Sequence, residues 1–396
     1  MTFTLPTGIQ ALYRGLHRHP ELAMREHRTA RVCAARLERA GFSVRTGVAG
    51  TGVVAELRRG AGPTVVLRAE LDALPLTERT GASFSSRVEG VMHACGHDLH
   101  LAAVVAAAEQ VGRQSQDWSG CLVVVLQPAE ETGTGARAML DGGLLDMVPR
   151  VDRLLAQHVS ALAPVGVIVS TPGIALAASE TFRVEVRGEG GHSSAVDRST
   201  QPVLVAASLV MRLATLVSQE VAPFEQAVVS IPEIVAPSAP GLVAPQATVT
   251  ITTRSVASRV GTLLADRIEC LVSAEALGAG LTVGADADVR LSKEASVLSV
   301  CNDEALLSEV RDAHRAGLGL THLTVPPALA SDDVSVLTQA FDCPAAYWFV
   351  GSGEPGGKLG ATRPGCHTDR YLPNPHTLAV AASAMRLAAL AALNGR

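Results

Sequence analysis

The chain has 396 residues, of which 47% are apolar and 18% charged, and its formal net charge is −5. This composition predicts a compact globular protein of two domains and gives no electrostatic argument for binding nucleic acid or an anionic membrane surface. Seven scattered cysteines argue against a disulfide framework, and no signal peptide or long apolar run is evident, so we expect a soluble, cytoplasmic protein.

The N-terminal part of the chain predicts a parallel sheet. Segment 8–41 has the apolar spacing of a helix, and the short apolar runs 43–48, 52–57 and 64–71 predict strands. Residues 99–112 then predict a buried helix, followed by an apolar strand that ends at two acids. Strands that alternate with helices predict an α/β fold with a mostly parallel sheet and helices on both faces.

The order of predicted strands and helices changes at about residue 179. The following elements are, in order, strand 180–191, helix 200–220, strands 226–236 and 247–256, helix 256–277 and strand 281–291. This β-α-β-β-α-β order is typical of a small α+β domain. We therefore predict an inserted domain at 179–292, with residues 1–178 and 293–396 forming the larger domain around it.

One short segment, Gly90–Ala102 with the sequence GVMHACGHDLHLA, concentrates side chains that bind metals. They are His93, Cys95, His97, Asp98 and His100. Three interpretations are open: a divalent metal site, a Cys95 nucleophile activated by a neighbouring imidazole, and histidines that only hydrogen-bond loop backbone. The segment alone does not decide between them, so the decision depends on other parts of the chain.

Three further places in the sequence offer ligands for the same site. Glu130 and Glu131 follow the apolar strand 122–126, where adjacent carboxylates indicate either solvent or a cation. If a cation is present, one acid can bind it while the other transfers a proton. His158 ends another apolar run and His367 lies in a glycine-containing loop, although each alone is more often an ordinary histidine.

Six ordered sequence blocks resemble one enzyme family. They are GLHRHPELAMREHRTA, LRAELDALPL, GVMHACGHDLH, LQPAEETGTGARAML, AQHV and GEGGHSS. In this order they resemble the metallo-amidohydrolase and aminoacylase peptidase family, which includes hippurate hydrolases, N-acyl-amino-acid amidohydrolases and auxin-conjugate hydrolases. The resemblance spans the chain from His17 to the C-terminal helix. It implies a metal-binding catalytic domain at 1–178 and 293–396 and a lid or dimerisation domain at 179–292.

The resemblance also implies roles for individual residues. Two divalent ions, with zinc the first choice and manganese, cobalt or nickel also suitable, would be bound by Cys95, His97, Glu131, His158 and His367. Glu130 matches the family's general base, and Asp98 and His100 would support the ligands from an outer shell. His192 would reach the scissile carbonyl from the partner subunit's lid. Arg254 would pair with a substrate carboxylate.

The sequence departs from the family pattern mainly where substrate would be recognised. SSAVD replaces the usual AAMPH, which puts Asp197 in the place of a second lid histidine, and LVAPQ replaces NVIPD, which puts Leu242 in the place of an asparagine. Near the end, CHTDRY replaces HHPRF but keeps His367. We therefore expect a complete metal centre with altered substrate recognition.

These observations lead to one functional prediction and two alternatives. We predict a homodimeric, binuclear metal-dependent amidohydrolase that cleaves the amide bond of an N-acyl amino acid or a related conjugate. The nearest enzymatic alternative is a dipeptidase or carbamoyl-amide hydrolase. The other is a catalytically inactive metal-containing binding protein, against which Glu130 counts because a pure binder has no need of that carboxylate.

Overall fold

The computed structural model describes residues 5–114, 118–195, 197, 199–360 and 364–395, and the chain forms two compact units. The first unit comprises Met1–Ala175, Cys301–Pro326 and Asp332–Arg396, and the second comprises Leu176–Val300 and Pro327–Ser331. The predicted insertion at 179–292 falls within the second unit. Its role as a lid or dimerisation domain stays a prediction.

The elements below are numbered in chain order over the described residues. The helices are α1 (Ile9–Arg18), α2 (His27–Arg39), α3 (His97–Arg113), α4 (Gly135–Asp141), α5 (Leu144–Met147), α6 (Pro202–Glu220), α7 (Ser258–Gly278), α8 (Glu304–Leu318), α9 (Val334–Phe341) and α10 (Thr377–Asn394). The strands are β1 (Ser43–Val48), β2 (Gly52–Arg59), β3 (Thr64–Glu70), β4 (Gly120–Gln127), β5 (Arg153–Pro164), β6 (Val167–Ser170), β7 (Gly173–Leu176), β8 (Ala178–Arg187), β9 (Gly191–His192), β10 (Ala227–Val235), β11 (Leu242–Val243), β12 (Gln246–Ser255), β13 (Val289–Val297), β14 (Val300–Asn302), β15 (Thr321–Thr324) and β16 (Ala345–Gly353).

The first unit is built on an eight-stranded sheet with the order β1-β2-β4-β3-β5-β16-β6-β15. Neighbours are parallel at β4–β3, β3–β5, β5–β16 and β6–β15, and antiparallel at β1–β2, β2–β4 and β16–β6. The predicted α/β class with a mostly parallel sheet is therefore confirmed. Four of the parallel strands, β4, β3, β5 and β16, are central in the sheet, where crossover helices can cover them.

Both faces of this sheet are buried, which explains why its strands are apolar at consecutive positions. On one face, Val65 and Leu67 of β3 belong to the hydrophobic core that includes residues of α3 and α10. The intervening Val66, and Val123 on β4, point to the other face and are also fully buried. A strand buried on both faces shows no alternation of polar and apolar residues.

The N-terminal segment differs from its prediction, because residues 8–41 form two helices instead of one helical stretch. α1 ends at Arg18 and α2 begins only at His27. Pro20 lies in the interruption. Proline has no backbone N–H and disfavours helical backbone in the preceding residue, so the apolar spacing continues across a break in the helix.

The second unit contains a four-stranded antiparallel sheet with the order β10-β12-β8-β13. Its main elements follow the chain order β8, α6, β10, β12, α7 and β13, with α6 and α7 packed against the sheet. The last strand begins at Val289 and not at residue 281 as predicted. The intervening segment is a turn in which the Thr282 backbone N–H and hydroxyl both donate to the Asp288 carboxylate, at 2.9 and 2.7 Å.

Two helices, α6 and α10, are long and apolar enough to cross a membrane by length and composition alone. In α10, 67% of the apolar window is buried inside the first unit. In α6, Leu209 and Leu213 pack into the core of the second unit. Burial within the fold therefore accounts for the hydropathy of α10 and of the inner face of α6.

Candidate metal centre

The candidate site lies at one edge of the central sheet. β4, β3 and β5 are parallel neighbours, so their carboxyl ends meet at the same edge. Glu70 ends β3, Glu130 and Glu131 follow the end of β4, and His158 lies on β5 beyond the residue paired with β3. Chemistry in open α/β sheets gathers at this edge, because the loops that leave the strands converge there.

Gly96 fixes the turn between Cys95 and the start of α3. Its φ of 86° lies in the left-handed region, which residues with a side chain rarely adopt. A Cβ atom at this position would also lie 2.6 Å from Val159 Cγ2. Glycine is therefore required both by the backbone conformation and by the close approach of β5, and this turn points Cys95 and His97 toward the same space.

The five predicted ligands and Glu130 converge there. The Cys95 sulfur lies 3.3 Å from His158 Nε2, and His367 Nε2 lies 3.2 Å from Glu131 Oε2. His97 Nε2 lies 3.7 Å from Glu130 and 3.9 Å from Glu131. Three sets drawn from these six residues have donor atoms within 4.8 Å of one another, namely Cys95–His97–His158, Cys95–Glu131–His367 and His97–Glu130–Glu131.

Two buried atoms test whether this cluster fits a metal ion. His97 Nε2 and Glu131 Oε1 are shielded from solvent and have no hydrogen-bond partner among the described residues. Leaving such atoms unsatisfied is costly, and a cation between them would satisfy both. The cluster offers sulfur, imidazole nitrogen and carboxylate oxygen, a donor set that suits zinc and neighbouring transition metals. The residues therefore fit a divalent metal.

Hydrogen bonds orient the predicted ligands for this role. His97 Nδ1 donates to the Asp72 carbonyl at 2.9 Å, and the Glu131 backbone N–H donates to the Asp72 carboxylate at 2.9 Å. His158 Nδ1 donates to the Val159 carbonyl at 2.7 Å. In both histidines the bond made by Nδ1 leaves Nε2 facing the cluster. Asp72 lies in the LRAELDALPL block but is not among the predicted site residues.

His100 and Asp98, the two residues predicted to support the ligands from an outer shell, differ in their contacts. The His100 ring packs 4.5 Å from the His158 ring, donates to Glu70 and accepts from the Val159 backbone N–H, so it supports the centre. Asp98 instead accepts a hydrogen bond from His17 Nδ1 at 2.7 Å. The partner of Asp98 is thus a histidine of α1 and not one of the predicted ligands, and its outer-shell role stays a prediction.

Glu130 and Glu131 are adjacent but differ electrostatically. Burial raises the pKa of Glu130 well above its usual value, and the nearby charge of Asp332 adds to this effect. Burial also opposes ionisation of Glu131, but the hydrogen bond from His367 and the charge of His97 outweigh it and lower the pKa of Glu131. Glu131 is thus suited to remain an anionic ligand, whereas Glu130 is suited to hold a proton.

A buried ion network lies beneath the loop that carries these acids. Arg68 on β3 is fully buried and pairs with Asp332 at 2.9 Å and with Asp333 at 3.1 Å. Asp333 also accepts from the Gln127 side chain at 2.6 Å and from the Ala136 backbone N–H at 2.9 Å. Because Gln127 ends β4 and Ala136 lies in α4, the network ties down both ends of the Glu130–Glu131 loop.

His192 and Arg254 both lie in the second unit, so they are not part of the cluster within the first unit. His192 is exposed, and its Nδ1 is 2.8 Å from the Ser194 hydroxyl. Leu242 is its direct cross-strand neighbour in the β9–β11 pair. The Arg254 guanidinium donates to the Leu329 carbonyl at 2.9 Å. The predicted catalytic role of His192 and substrate-binding role of Arg254 stay predictions.

Comparison with known proteins agrees with this geometry. The chain is 30% identical to an N-acetyl-L-cysteine deacetylase of Bacillus subtilis over 88% of this chain and 81% of the relative. It is 31% identical to the IAA-amino acid hydrolase ILR1-like 4 of Arabidopsis thaliana over 85% of this chain and 76% of the relative. Both relatives are thus matched over most of their own length.

Solved structures match over nearly the whole chain. A protein of methicillin-resistant Staphylococcus aureus gives a TM-score of 0.83 at 28% identity, covering 98% of this chain and 96% of the other. A dinuclear metal-binding peptidase of the M20 family from Bacillus subtilis gives a TM-score of 0.78 at 26% identity, covering 98% and 99%. The model of peptidase family M20/M25/M40 matches residues 66–390. With the converging ligand cluster, these matches show that the chain belongs to peptidase family M20/M25/M40.

Proposed function

We propose that this protein hydrolyses the amide bond of N-acyl amino acids or related conjugates at a two-metal centre, with Glu130 as the general base. Its family membership already makes it a metal-dependent amidohydrolase. The proposed substrate and mechanism rest mainly on the different contacts of the two adjacent carboxylates. Glu131 pairs with His367, whereas Glu130 lies near His97 and does not pair with His367. One acid can then bind metal while its neighbour moves a proton.

The metal would be held by Cys95, His97, Glu131, His158 and His367. Two divalent ions bound there would acidify an attacking water and polarise the scissile carbonyl. Zinc suits the mixed sulfur, nitrogen and oxygen donors best, and manganese, cobalt and nickel also accept such sites. Asp72 would keep His97 and Glu131 in place, since it bonds both.

Glu130 would move the proton. In this proposal its carboxylate takes a proton from the attacking water and later donates it to the leaving amine, so that a poor amide leaving group departs as a neutral amine. The raised pKa of Glu130 favours the second step, because burial makes its protonated form easier to maintain. The Arg68 network would hold the loop so that Glu130 stays near the reacting atoms.

The substrate class is supported by the named relatives and by one cationic side chain. One relative is named for deacetylation of N-acetyl-L-cysteine and another for hydrolysis of IAA-amino acids, and both names describe an amino acid in amide linkage. In this chain, Arg254 would bind the carboxylate of the amino acid through the guanidinium donors that its bond to the Leu329 carbonyl leaves available. The amide and the carboxylate together define the N-acyl amino acid.

We also propose a homodimer in which the partner's His192 completes each site. Two observations on the second unit support association through it. α6 exposes Leu204 (60%) and Met211 (72%), which lie two helical turns apart on one face. β10 is an edge strand whose Ile234 and Val235 are exposed. His192 is exposed as well, so it is accessible to a second copy.

The proposed activity is tested with a panel of N-acetyl, N-benzoyl and N-carbamoyl amino acids and dipeptides. Each substrate is assayed with protein as purified, after chelation, and after zinc or manganese is restored. We expect hydrolysis of an N-acyl amino acid that chelator abolishes and metal restores. Hydrolysis of dipeptides or carbamoyl substrates alone would support the alternative enzymes, and metal binding without turnover on any substrate would support the inactive binding protein.

A further inference from the structure

Glu26 is a buried carboxylate outside the predicted ligand set, and it accepts hydrogen bonds from three separate segments of the chain. One oxygen accepts from the backbone N–H of Met24 at 3.0 Å and from that of Ala129 at 2.9 Å, and the other accepts from the Thr51 hydroxyl at 2.6 Å. Burial of a carboxylate is costly, and these three donors offset that cost. Glu26 thus joins the segment before α2, the turn before β2 and the segment that follows β4.

Backbone strain is concentrated in the segments that Glu26 joins. Ala129 has a φ of 52° and Met24 a φ of 60°, both in the left-handed region that residues with a Cβ atom rarely adopt. Ala49, with a φ of 52°, lies two residues before Thr51. Such conformations persist only where surrounding contacts hold them. At Met24 and Ala129 the bond from the strained residue's own N–H to Glu26 is a contact of this kind.

The loop between β4 and α4 is anchored through its backbone, because three of its N–H groups each donate to a buried carboxylate at 2.9 Å. The pairs are Ala129–Glu26, Glu131–Asp72 and Ala136–Asp333. Glu131 is fixed further by its contact with His367. Ala129 directly precedes Glu130, so the direction in which the chain leaves Ala129 determines where the Glu130 side chain points.

We propose that Glu26 is a positioning residue for Glu130, because its hydrogen bond holds Ala129 in the left-handed conformation that directs the Glu130 carboxylate toward His97. This inference rests on the general-base role of Glu130 in the proposed function. Glu26 acts through the backbone and not by contact with substrate. A displacement of a reacting group by about 1 Å can lower a rate by roughly 100-fold, so loss of this bond should lower turnover.

Substitution of Glu26 tests this role through the kinetics of N-acyl amino acid hydrolysis. Glu26→Met keeps the side-chain length but offers no acceptor to Ala129, so kcat should fall by roughly 100-fold while KM and metal content stay close to wild type. Glu26→Gln should keep kcat near the wild-type value, because its amide oxygen can accept both backbone N–H groups and its NH₂ can donate to the Thr51 hydroxyl. Glu21→Met is the matched control, since Glu21 accepts two backbone N–H groups of α2, at 3.0 and 2.7 Å, and it should leave kcat unchanged.

A double-variant cycle separates positioning of Glu130 from general stabilisation of the fold. If Glu26 acts through Glu130, Glu26→Met should have little further effect once Glu130 is replaced by glutamine. The kcat of the double variant should then equal that of Glu130→Gln within about twofold, measured well below the unfolding temperature of each protein. A further loss of roughly 100-fold in the double variant, as independent effects would give, would overturn the inference.

Crystal structures of the variants give a readout that does not depend on activity. Ala129 should keep a φ near 52° in Glu26→Gln and leave the left-handed region in Glu26→Met. Glu26→Met protein that keeps the left-handed φ at Ala129, or that keeps wild-type kcat, would contradict the positioning role. If Glu26→Met does not fold, Glu26→Asp replaces it, because a side chain shorter by one methylene would not reach Ala129. Wild-type protein that hydrolyses no N-acyl amino acid would instead refute the proposed function, and the backbone at Ala129 would still decide the role of Glu26.

Discussion

Replacement of Arg68 by methionine tests the ion network beneath the Glu130–Glu131 loop. Methionine has a similar length but no charge, so Glu70, Asp332 and Asp333 would lose their common cation while remaining buried. Breaking a buried ion pair by removing one partner costs about 3–5 kcal/mol, because the remaining charge is uncompensated. Three acids share Arg68, so we expect a loss of about 3–5 kcal/mol in the free energy of unfolding of the first unit, at the upper end of that range.

The assay is urea unfolding followed by tryptophan fluorescence. Both tryptophans, Trp118 and Trp348, are buried in the first unit, so the signal reports that unit alone. Arg68→Lys is the matched control, since it keeps the charge but loses the hydrogen bond to Gln127, and should cost only roughly 1–3 kcal/mol. A loss below about 1 kcal/mol in the methionine variant would refute the argument from uncompensated charge.

Three further predictions concern the site. Gly96→Ala should lower the free energy of unfolding by at least roughly 1–2 kcal/mol, because alanine disfavours the left-handed backbone at this position. The same substitution should displace Cys95 and lower the metal content. Full metal content, measured by elemental analysis, would contradict this prediction. Arg254→Leu should raise KM for N-acyl amino acids far more than it lowers kcat, and an unchanged KM would argue against a carboxylate contact. Mixing His192→Ala with Glu130→Gln protein should restore activity once subunits exchange, because one site in each heterodimer has both groups; proven exchange without activity would exclude a shared site.

The parts of the fold that depend on local pattern were predictable. The segments that form β1, β2, β3 and β4 are apolar and bounded by turn residues, so the existence and type of these strands could be predicted. The break between α1 and α2 was missed because apolar spacing continues through it, although Pro20 is a visible signal. The start of β13 was missed because the Thr282–Asp288 turn is stabilised by side-chain hydrogen bonds that apolar periodicity does not report.

Only those residues of the candidate site that lie in recognisable sequence motifs could be predicted. Cys95 and His97 stand out in one segment, and the resemblance added the remaining ligands. Arg68 gave no signal, because a charged residue inside a strand usually points to solvent and its partners Asp332 and Asp333 lie more than 260 positions away. Such long-range polar contacts cannot be inferred from one sequence's local pattern.

The most direct test of the account compares Glu130→Gln with Glu131→Gln in the same two measurements, metal content and turnover of an N-acyl amino acid. We predict that Glu130→Gln keeps two divalent ions per chain but loses about 10²- to 10⁴-fold in kcat, as expected when a general base is removed. Glu131→Gln should lose metal as well as turnover, because its carboxylate oxygen is a ligand. Glu130→Gln protein that keeps wild-type turnover, or that loses metal as Glu131→Gln does, would contradict the division of roles between the two acids.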